Sequence, residues 1–99
     1  MRYNRTSASQ EVAQQVLLFP NPLETRTLGI RLEGFHEAAK VSFQLFDMTG
    51  RKIVTSEAFP TGKRISDEFL DLPSQLSSGL YIVKITDGNK VFNKRIILK

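Results

Sequence analysis

Apolar and polar residues alternate along most of the chain from Val16 onward. Leu28, Ile30 and Leu32 alternate with polar or small neighbours, and the same period of two recurs over residues 41–45 and 81–85. Successive side chains of a β-strand point to opposite faces, so this period is typical of half-buried strands. The pattern predicts seven strands, over residues 16–19, 27–33, 40–47, 51–58, 65–71, 80–86 and 90–98.

Turn residues separate these strands at short intervals. Asp47-Met48-Thr49-Gly50 and Pro60-Thr61-Gly62-Lys63 have the composition of tight turns, and Asp87-Gly88-Asn89 between two apolar runs is a strong hairpin signal. Residues 72–79 form a longer crossing segment, with room for one helical turn at Ser74–Leu76. Short strands with turns at this spacing predict an all-β fold, a seven-stranded antiparallel immunoglobulin-like β-sandwich.

The inward positions of the alternating strands define the predicted core. It consists of Leu18, Ile30, Leu32, Val41, Phe43, Leu45, Leu72, Leu76, Tyr81, Val83, Ile85, Ile96 and Leu98. Two adjacent apolar pairs, Ile53/Val54 and Phe69/Leu70, interrupt the alternation. They leave the inward face of their strands open and are compatible with a β-bulge.

The first predicted strand stops at two prolines, in the stretch Phe19-Pro20-Asn21-Pro22. Each proline holds φ at about −65°, lacks a backbone N–H and disfavours the α conformation in the residue before it. The stretch therefore predicts the end of an edge strand, or a chain that leaves one sheet and is rerouted. Residues 1–15 show no alternation, and we expect them to be a flexible linker or N-terminal tail ahead of a sandwich over residues 16–99.

The 99 residues include no cysteine, which excludes disulfides and thiolate metal sites. The net charge of +4 is unevenly placed. Residues 72–99 carry Asp87 as their sole acidic residue, against Lys84, Lys90, Lys94, Arg95 and Lys99. Such an excess fits an anionic partner, and it also fits lysines that prevent edge strands from pairing. Nucleic acid is disfavoured because the chain has no basic helix, zinc-finger spacing or aromatic RNA-binding signature.

No group of residues has the pattern of a catalytic or metal site. His36 is the only histidine and is predicted to lie in a surface loop, so no histidine pair can bind a metal. The serines lack a nucleophile-elbow motif, and the acidic stretch from Asp67 to Asp71 lacks the spacing of a calcium loop. We therefore expect no enzymatic activity, no cofactor and no metal.

Three stretches, taken together, carry a resemblance. They are Leu18–Pro22 (LFPNP), Phe46–Val54 (FDMTGRKIV), and Leu76–Ile85 (LSSGLYIVKI) with the closing Lys94–Lys99 (KRIILK). Over residues 17–99 their order and spacing resemble the C-terminal sorting domain of type IX (Por) secretion cargo proteins of Bacteroidetes. The resemblance identifies the sorting-motif residues as Pro20, Asn21, Pro22, Asp47, Gly50, Gly79 and Tyr81.

The resemblance implies that the domain directs a larger exported protein across the outer membrane through the type IX translocon. The parent would cross the periplasm and finish at the outer membrane, at the cell surface or in the medium. In many relatives a sortase-like signal peptidase removes the domain and the cargo is attached to the surface. The cut is then expected near Thr6, Ser7, Ala8, Ser9 and Gln10. Met1–Gln10 lacks the apolar region of a signal peptide, so we expect a separate N-terminal signal on the parent.

The terminal hairpin is the expected recognition surface. We expect Lys94, Arg95 and Lys99 to provide electrostatic recognition, and the final strand to offer an edge for β-augmentation. A weak homodimer through edge strands stays open. The alternative function is an immunoglobulin-like adhesion or ligand-binding module that uses loops 34–39 and 60–64, with Phe35, Phe46 and Phe59 turned partly outward.

Overall fold

The structure is a computed structural model that describes residues 13–99, and this part of the chain contains seven strands and no helix. In chain order the strands are β1 (Gln15–Phe19), β2 (Thr27–Glu33), β3 (Val41–Phe46), β4 (Lys52–Ala58), β5 (Ile65–Asp71), β6 (Gly79–Asp87) and β7 (Lys90–Leu98). The predicted bounds agree with these to within one residue at each end, because alternation and turn residues are both strong signals here. The segment predicted to allow a helical turn has a single turn, closed by the Leu76 N–H to Pro73 O bond of 3.1 Å.

Two antiparallel sheets form a β-sandwich, which confirms the predicted fold class. The three-stranded sheet has the order β1-β2-β5 and the four-stranded sheet the order β4-β3-β6-β7. Strand β7 is therefore an edge strand that pairs along its length only with β6. The shift between Leu45 and Phe46 leaves Ile53 as an extra residue in β4, so the bulge with which the Ile53/Val54 pair was compatible is present. The β2–β5 register is regular, so the other apolar pair, Phe69/Leu70, does not form a bulge.

The inner faces of both sheets supply one core. Every predicted core residue is buried except Leu76, which is half-buried and packs against the core. The buried set also contains residues outside the predicted core, namely Val16, Leu23, Leu28, Phe35, Ala38, Ala58 and Leu70.

The expectation that Phe35 turns outward is wrong, because its side chain is only 1% exposed. Its ring packs edge-on against Phe92 at a centroid distance of 5.6 Å. The loop that carries Phe35 is held against the β4–β5 loop by two backbone bonds, from Gly34 N to Arg64 O at 2.9 Å and from Gly62 N to His36 O at 2.8 Å. These bonds fold the loop over the core, which brings Phe35 inside.

On the outer face of the three-stranded sheet, the ring of Phe19 lies across Gly29. A Cβ added to Gly29 would lie 2.3 Å from Cε2 of that ring, so only glycine lets the ring approach the backbone this closely. The ring meets Phe69 edge-on at 6.0 Å and an angle of 86°, and the Arg31 Cζ lies 5.9 Å from its centroid. Arg31 also pairs with Asp67, its Nε lying 2.7 Å from the Asp67 Oδ1. The covered glycine is thus the centre of a small surface cluster.

The antiparallel order divides the turns and chain ends between two poles of the sandwich. The first, here called the motif pole, holds the ends of β1 and β7, the β3–β4 turn and the β5–β6 crossing segment. The second, here called the linker pole, holds Gln14, the β2–β3 and β4–β5 loops and the β6–β7 turn.

Candidate functional site

The sorting-motif residues, far apart in sequence, all lie at the motif pole. Pro20, Asn21 and Pro22 follow β1, and Asp47 and Gly50 form the β3–β4 turn. Gly79 and Tyr81 begin β6, beside the end of β7. Antiparallel pairing explains the convergence, because β1, β3 and β7 end at this pole and β6, which runs antiparallel to β3 and β7, begins there.

The proline stretch reroutes the chain from the three-stranded sheet onto the terminal strand. After Pro22 the backbone of Leu23 forms a parallel bridge with Leu98. Its N–H donates to the Ile97 O at 2.7 Å, and its carbonyl accepts from the Lys99 N–H at 2.8 Å. The Asn21 Oδ1 accepts from the Ile97 N–H at 3.5 Å. This set of bonds, here called the terminal clamp, covers the outer edge of β7 at its C-terminal end.

Asp47 organises the β3–β4 turn through its carboxylate. The Asp47 Oδ1 accepts from the Thr49 N–H at 2.9 Å, the Thr49 Oγ1 at 2.6 Å and the Arg51 N–H at 3.0 Å. These bonds, first among them the Thr49 hydroxyl, lower the pKa of Asp47. Gly50 has φ +91°, a conformation that side-chain-bearing residues rarely adopt, and its N–H donates to the Asp47 O at 3.0 Å. The carboxylate is therefore used within the turn.

Tyr81 is buried, and its hydroxyl donates to the Ser77 carbonyl in the crossing segment. A tyrosine near the start of the sixth strand that bonds back to upstream backbone is the tyrosine corner of immunoglobulin-like sandwiches. It holds the crossing segment against the start of β6, where Gly79 has φ +152°.

Two of the motifs share a shallow cleft of about 290 Å³ at this pole. Its lining residues are Asp47, Arg51, Ile53, Pro73, Gln75, Leu76, Ser77 and Tyr81. The polar atoms of Asp47 and Tyr81 already have partners within the domain. These two side chains hold the β3–β4 turn and the crossing segment in place.

The terminal strand presents two kinds of backbone position. Its pairing with β6 is regular from Asp87–Lys90 to Gly79–Leu98, across a two-residue turn of Gly88 and Asn89. In such a pair alternate residues exchange both bonds with the partner strand, and the others direct their N–H and C=O groups away from it. The bonds of Ile97 and Lys99 to Leu23 identify the odd-numbered residues of β7 as those that point outward.

The structure separates the three basic residues expected to act together. Lys94 lies opposite the core residue Val83, on the inner face, and Arg95 lies opposite Ile82, on the outer face. Lys99 lies at the motif pole, where its Nζ is 4.0 Å from the Glu24 carboxylate. Consecutive strand residues must face opposite ways, so Lys94 and Arg95 flank the edge of β7 instead of forming one patch.

Two further basic residues of the hairpin were not among the expected recognition residues. Lys84 lies on the outer face opposite Asn93, and Lys90 closes the turn opposite Asp87. Their positions follow from the register of a hairpin with a two-residue turn, which was the signal available in the sequence.

Gln14, at the linker pole, binds this hairpin by its amide. The Gln14 Nε2 donates to the Asp87 Oδ2 at 2.8 Å, and the Lys90 Nζ donates to the Gln14 Oε1 at 3.1 Å. The chain therefore enters the sandwich beside the β6–β7 turn. The predicted cleavage residues Thr6, Ser7, Ala8, Ser9 and Gln10 lie outside the described residues.

The loops proposed for an adhesion function do not form the expected aromatic surface. Phe35 is buried and Phe46 is half-buried, whereas Phe59 is 64% exposed. His36 is half-buried, and its Nδ1 has no hydrogen-bond partner within residues 13–99. Over that same range no three His, Cys, Asp or Glu residues are grouped to hold a metal, and no helix is long and apolar enough to cross a membrane.

Comparison with known proteins yields one family and a structural neighbour. The family model described as "Secretion system C-terminal sorting domain" matches residues 17–99. No curated protein matches the chain significantly. The crystal structure of dimeric latent PorU from Porphyromonas gingivalis is similar, with a TM-score of 0.66 and 19% identity over 87% of this chain and 9% of that one. At this identity the likeness concerns the fold, and the chain corresponds to a small part of that protein.

Proposed function

This chain belongs to the family of secretion system C-terminal sorting domains, and from that membership we propose how it serves a larger exported protein. The domain is a C-terminal sorting signal of type IX secretion, which directs proteins to the outer membrane, the cell surface or the medium. The observation that carries the proposal is the extent of the match. Residues 17–99 include all but the first two residues of the sandwich, so the signal is a folded domain and not a short peptide.

In the proposed arrangement the cargo precedes residue 16 and leaves the sandwich at the linker pole, where Gln14 holds the chain against the β6–β7 turn. Residues 1–15 act as the linker and residues 16–99 as the sorting domain. The parent crosses the periplasm, and the outer-membrane translocon then engages the domain. A sortase-like peptidase cuts within the linker, near Thr6–Gln10, and the cargo becomes attached to the surface.

The terminal hairpin is the surface that the machinery recognises in this proposal. The motif side chains are poor candidates for contact, because Asp47, Tyr81 and Asn21 bond to groups within the domain. Lys94 and Arg95 are exposed at an edge strand and supply most of the electrostatic recognition. Lys99 contributes less, since it faces Glu24.

The test is a fusion of residues 1–99 to the C-terminus of a fluorescent reporter that the Sec pathway exports, in cells with a type IX system. We expect the reporter at the surface or in the medium, and we expect it to stay in the periplasm when the translocon is deleted. A fusion retained in the periplasm of competent cells would refute the sorting function.

Charge reversal tests the recognition surface separately. Lys94→Glu with Arg95→Glu should reduce surface delivery at least severalfold. A matched control, Lys52→Glu with Lys63→Glu, changes the net charge equally at exposed positions outside the hairpin and should leave delivery unchanged. Equal delivery by both folded variants would show that the hairpin charges are not recognised.

A further inference from the structure

The outer edge of β7 is divided into a covered half and an open half. The terminal clamp covers Ile97 and Lys99. The outward N–H and C=O groups of Val91, Asn93 and Arg95 have no partner within residues 13–99. Exposed backbone groups of this kind are a template on which another strand can pair.

The open half carries basic side chains on both of its flanks. Lys94 projects on the inner side of the edge, and Arg95 on the outer side with Lys84 beside it. None of the three forms an ion pair within the described part of the chain. The sole carboxylate of the hairpin, Asp87, already accepts a hydrogen bond from the Gln14 amide. The edge therefore combines free backbone groups with uncompensated positive charge.

We propose that the open half of β7 binds one extended, acidic segment of a partner protein as an added β-strand. The inference rests on the proposed function, in which that partner belongs to the secretion machinery. Residues 91–95 offer room for a segment of about five residues, and the terminal clamp stops the pairing from extending further. Consecutive residues of the added strand lie on opposite faces of the sheet, one on the face of Lys94 and the next on the face of Arg95. The segment therefore has two consecutive acidic residues, one for each basic side chain.

The other sheet edges are less suited to this role. Strand β1 is five residues long and ends at Pro20, β4 is interrupted by the bulge at Ile53, and β5 carries the acidic residues Asp67 and Asp71. Strand β7 is nine residues long and regularly paired. Long, regular edges accept a new strand more readily than short, bulged or proline-ended ones.

A second copy of this chain is disfavoured as the occupant. Edge-to-edge pairing of two β7 strands would bring Lys94 and Arg95 of one copy close to the positive charges of the other. Like charges on adjacent strands oppose pairing. Acidic side chains on the added strand remove this repulsion and gain attraction instead.

The first experiment measures amide exchange in the 99-residue chain at low concentration. We expect fast exchange at Val91, Asn93 and Arg95 and slow exchange at Phe92 and Lys94, whose N–H groups face β6. Protection of the Val91, Asn93 and Arg95 amides in the dilute chain would mean that a segment of the chain itself covers the edge. Protection that grows with protein concentration would mean that a second copy covers it. Either result overturns the proposal.

The second experiment titrates the chain with the peptide acetyl-Thr-Val-Glu-Glu-Val-Thr-Val-amide and follows the amides of β7. Binding should slow exchange at Val91, Asn93 and Arg95. The control peptides replace both glutamates by lysine, or carry N-methyl groups on alternate backbone amides, and should bind at least tenfold more weakly. Equal effects of the acidic and basic peptides, or no effect of the acidic one, overturn the proposal.

Variants of β7 test separately whether binding depends on its outward backbone groups and on its basic side chains. Asn93→Pro removes an outward N–H without removing a bond to β6, and should weaken peptide binding at least tenfold. Asn93→Ala keeps the N–H and should bind normally. Lys94→Glu with Arg95→Glu should reverse the preference toward the lysine peptide, which provides a test even if the proline variant does not fold. An unchanged preference contradicts the proposed charge recognition.

Export of the fused reporter distinguishes a failure of the sorting function from a failure of strand addition at β7. If the wild-type fusion is not exported, the sorting function itself fails. If the wild-type and folded Asn93→Pro fusions are exported equally, the sorting function stands and strand addition at this edge is overturned. Loss of export with Asn93→Pro, but not with Asn93→Ala, is the expected result.

Discussion

The contact between Phe19 and Gly29 predicts that Gly29→Ala lowers the stability of the wild-type protein but raises the stability of a variant that lacks the Phe19 ring. Gly29 lies inside β2, where alanine is normally more stabilising than glycine by about 0.5–1 kcal/mol. In this protein a Cβ at position 29 would lie 2.3 Å from the Phe19 ring, so Gly29→Ala must displace the ring.

The cost of that displacement comes from the contacts the ring makes. Its edge-on contact with Phe69, at 6.0 Å, is worth about 0.5–1.5 kcal/mol. Its contact with the Arg31 guanidinium, at 5.9 Å, is worth about 0.5–1 kcal/mol at an exposed site. Subtracting the gain from alanine leaves Gly29→Ala less stable than wild type by about 1 kcal/mol. In a Phe19→Ala background the ring is absent, so the same change should stabilise by about 0.5–1 kcal/mol.

The assay is urea unfolding of four proteins: wild type, each single variant and the double variant. The two backgrounds should differ by an interaction free energy of about 1–2.5 kcal/mol, with unchanged m-values. A Gly29→Ala variant that is at least as stable as wild type, or one with the same effect in both backgrounds, would refute the argument that the ring rests on the glycine.

Other consequences are measurable in the same way. Tyr81→Phe should cost about 1 kcal/mol in urea unfolding, because it removes the hydrogen bond that the tyrosine hydroxyl donates to the Ser77 carbonyl; no loss would exclude a stabilising tyrosine corner. Leu23→Ala should cost about 2–5 kcal/mol, because this leucine is 0% exposed; a change below about 0.5 kcal/mol, the range of surface positions, would contradict its place in the core. Arg31 lowers the pKa of Asp67, so folded Asp67 binds fewer protons than unfolded Asp67. Its contribution to stability is complete above about pH 4 and is lost as the pH falls through the lowered pKa. Asp67→Asn should therefore weaken the acid dependence of unfolding, and an unchanged pH profile would contradict this pairing.

Alternation and turn chemistry were sufficient to predict the strands, because both sheets bury one face and expose the other. The two-residue turn between Asp87 and Lys90 also fixes which residues of β6 and β7 pair with each other. The pattern could not identify Leu23 or Phe35 as core residues. Each is a lone apolar residue in an irregular segment, and its burial depends on bonds to segments far away in sequence.

The candidate site was partly predictable. Strand parity alone places Lys94 and Arg95 on opposite faces, so their separation could have been inferred from the sequence. The covering of β7 by Leu23 could not, because a parallel bridge across two sheets leaves no periodic signal. That bridge is what confines the open edge to residues 91–95.

The terminal clamp also links the beginning of the sandwich to its last strand. Leu23 follows the first strand of the sandwich, and its backbone partners Ile97 and Lys99 lie at the end of β7. A chain cut short before Ile96 lacks two core side chains and leaves Leu23 uncovered. Removing residues 96–99 should therefore destabilise the whole sandwich and not only the end of β7.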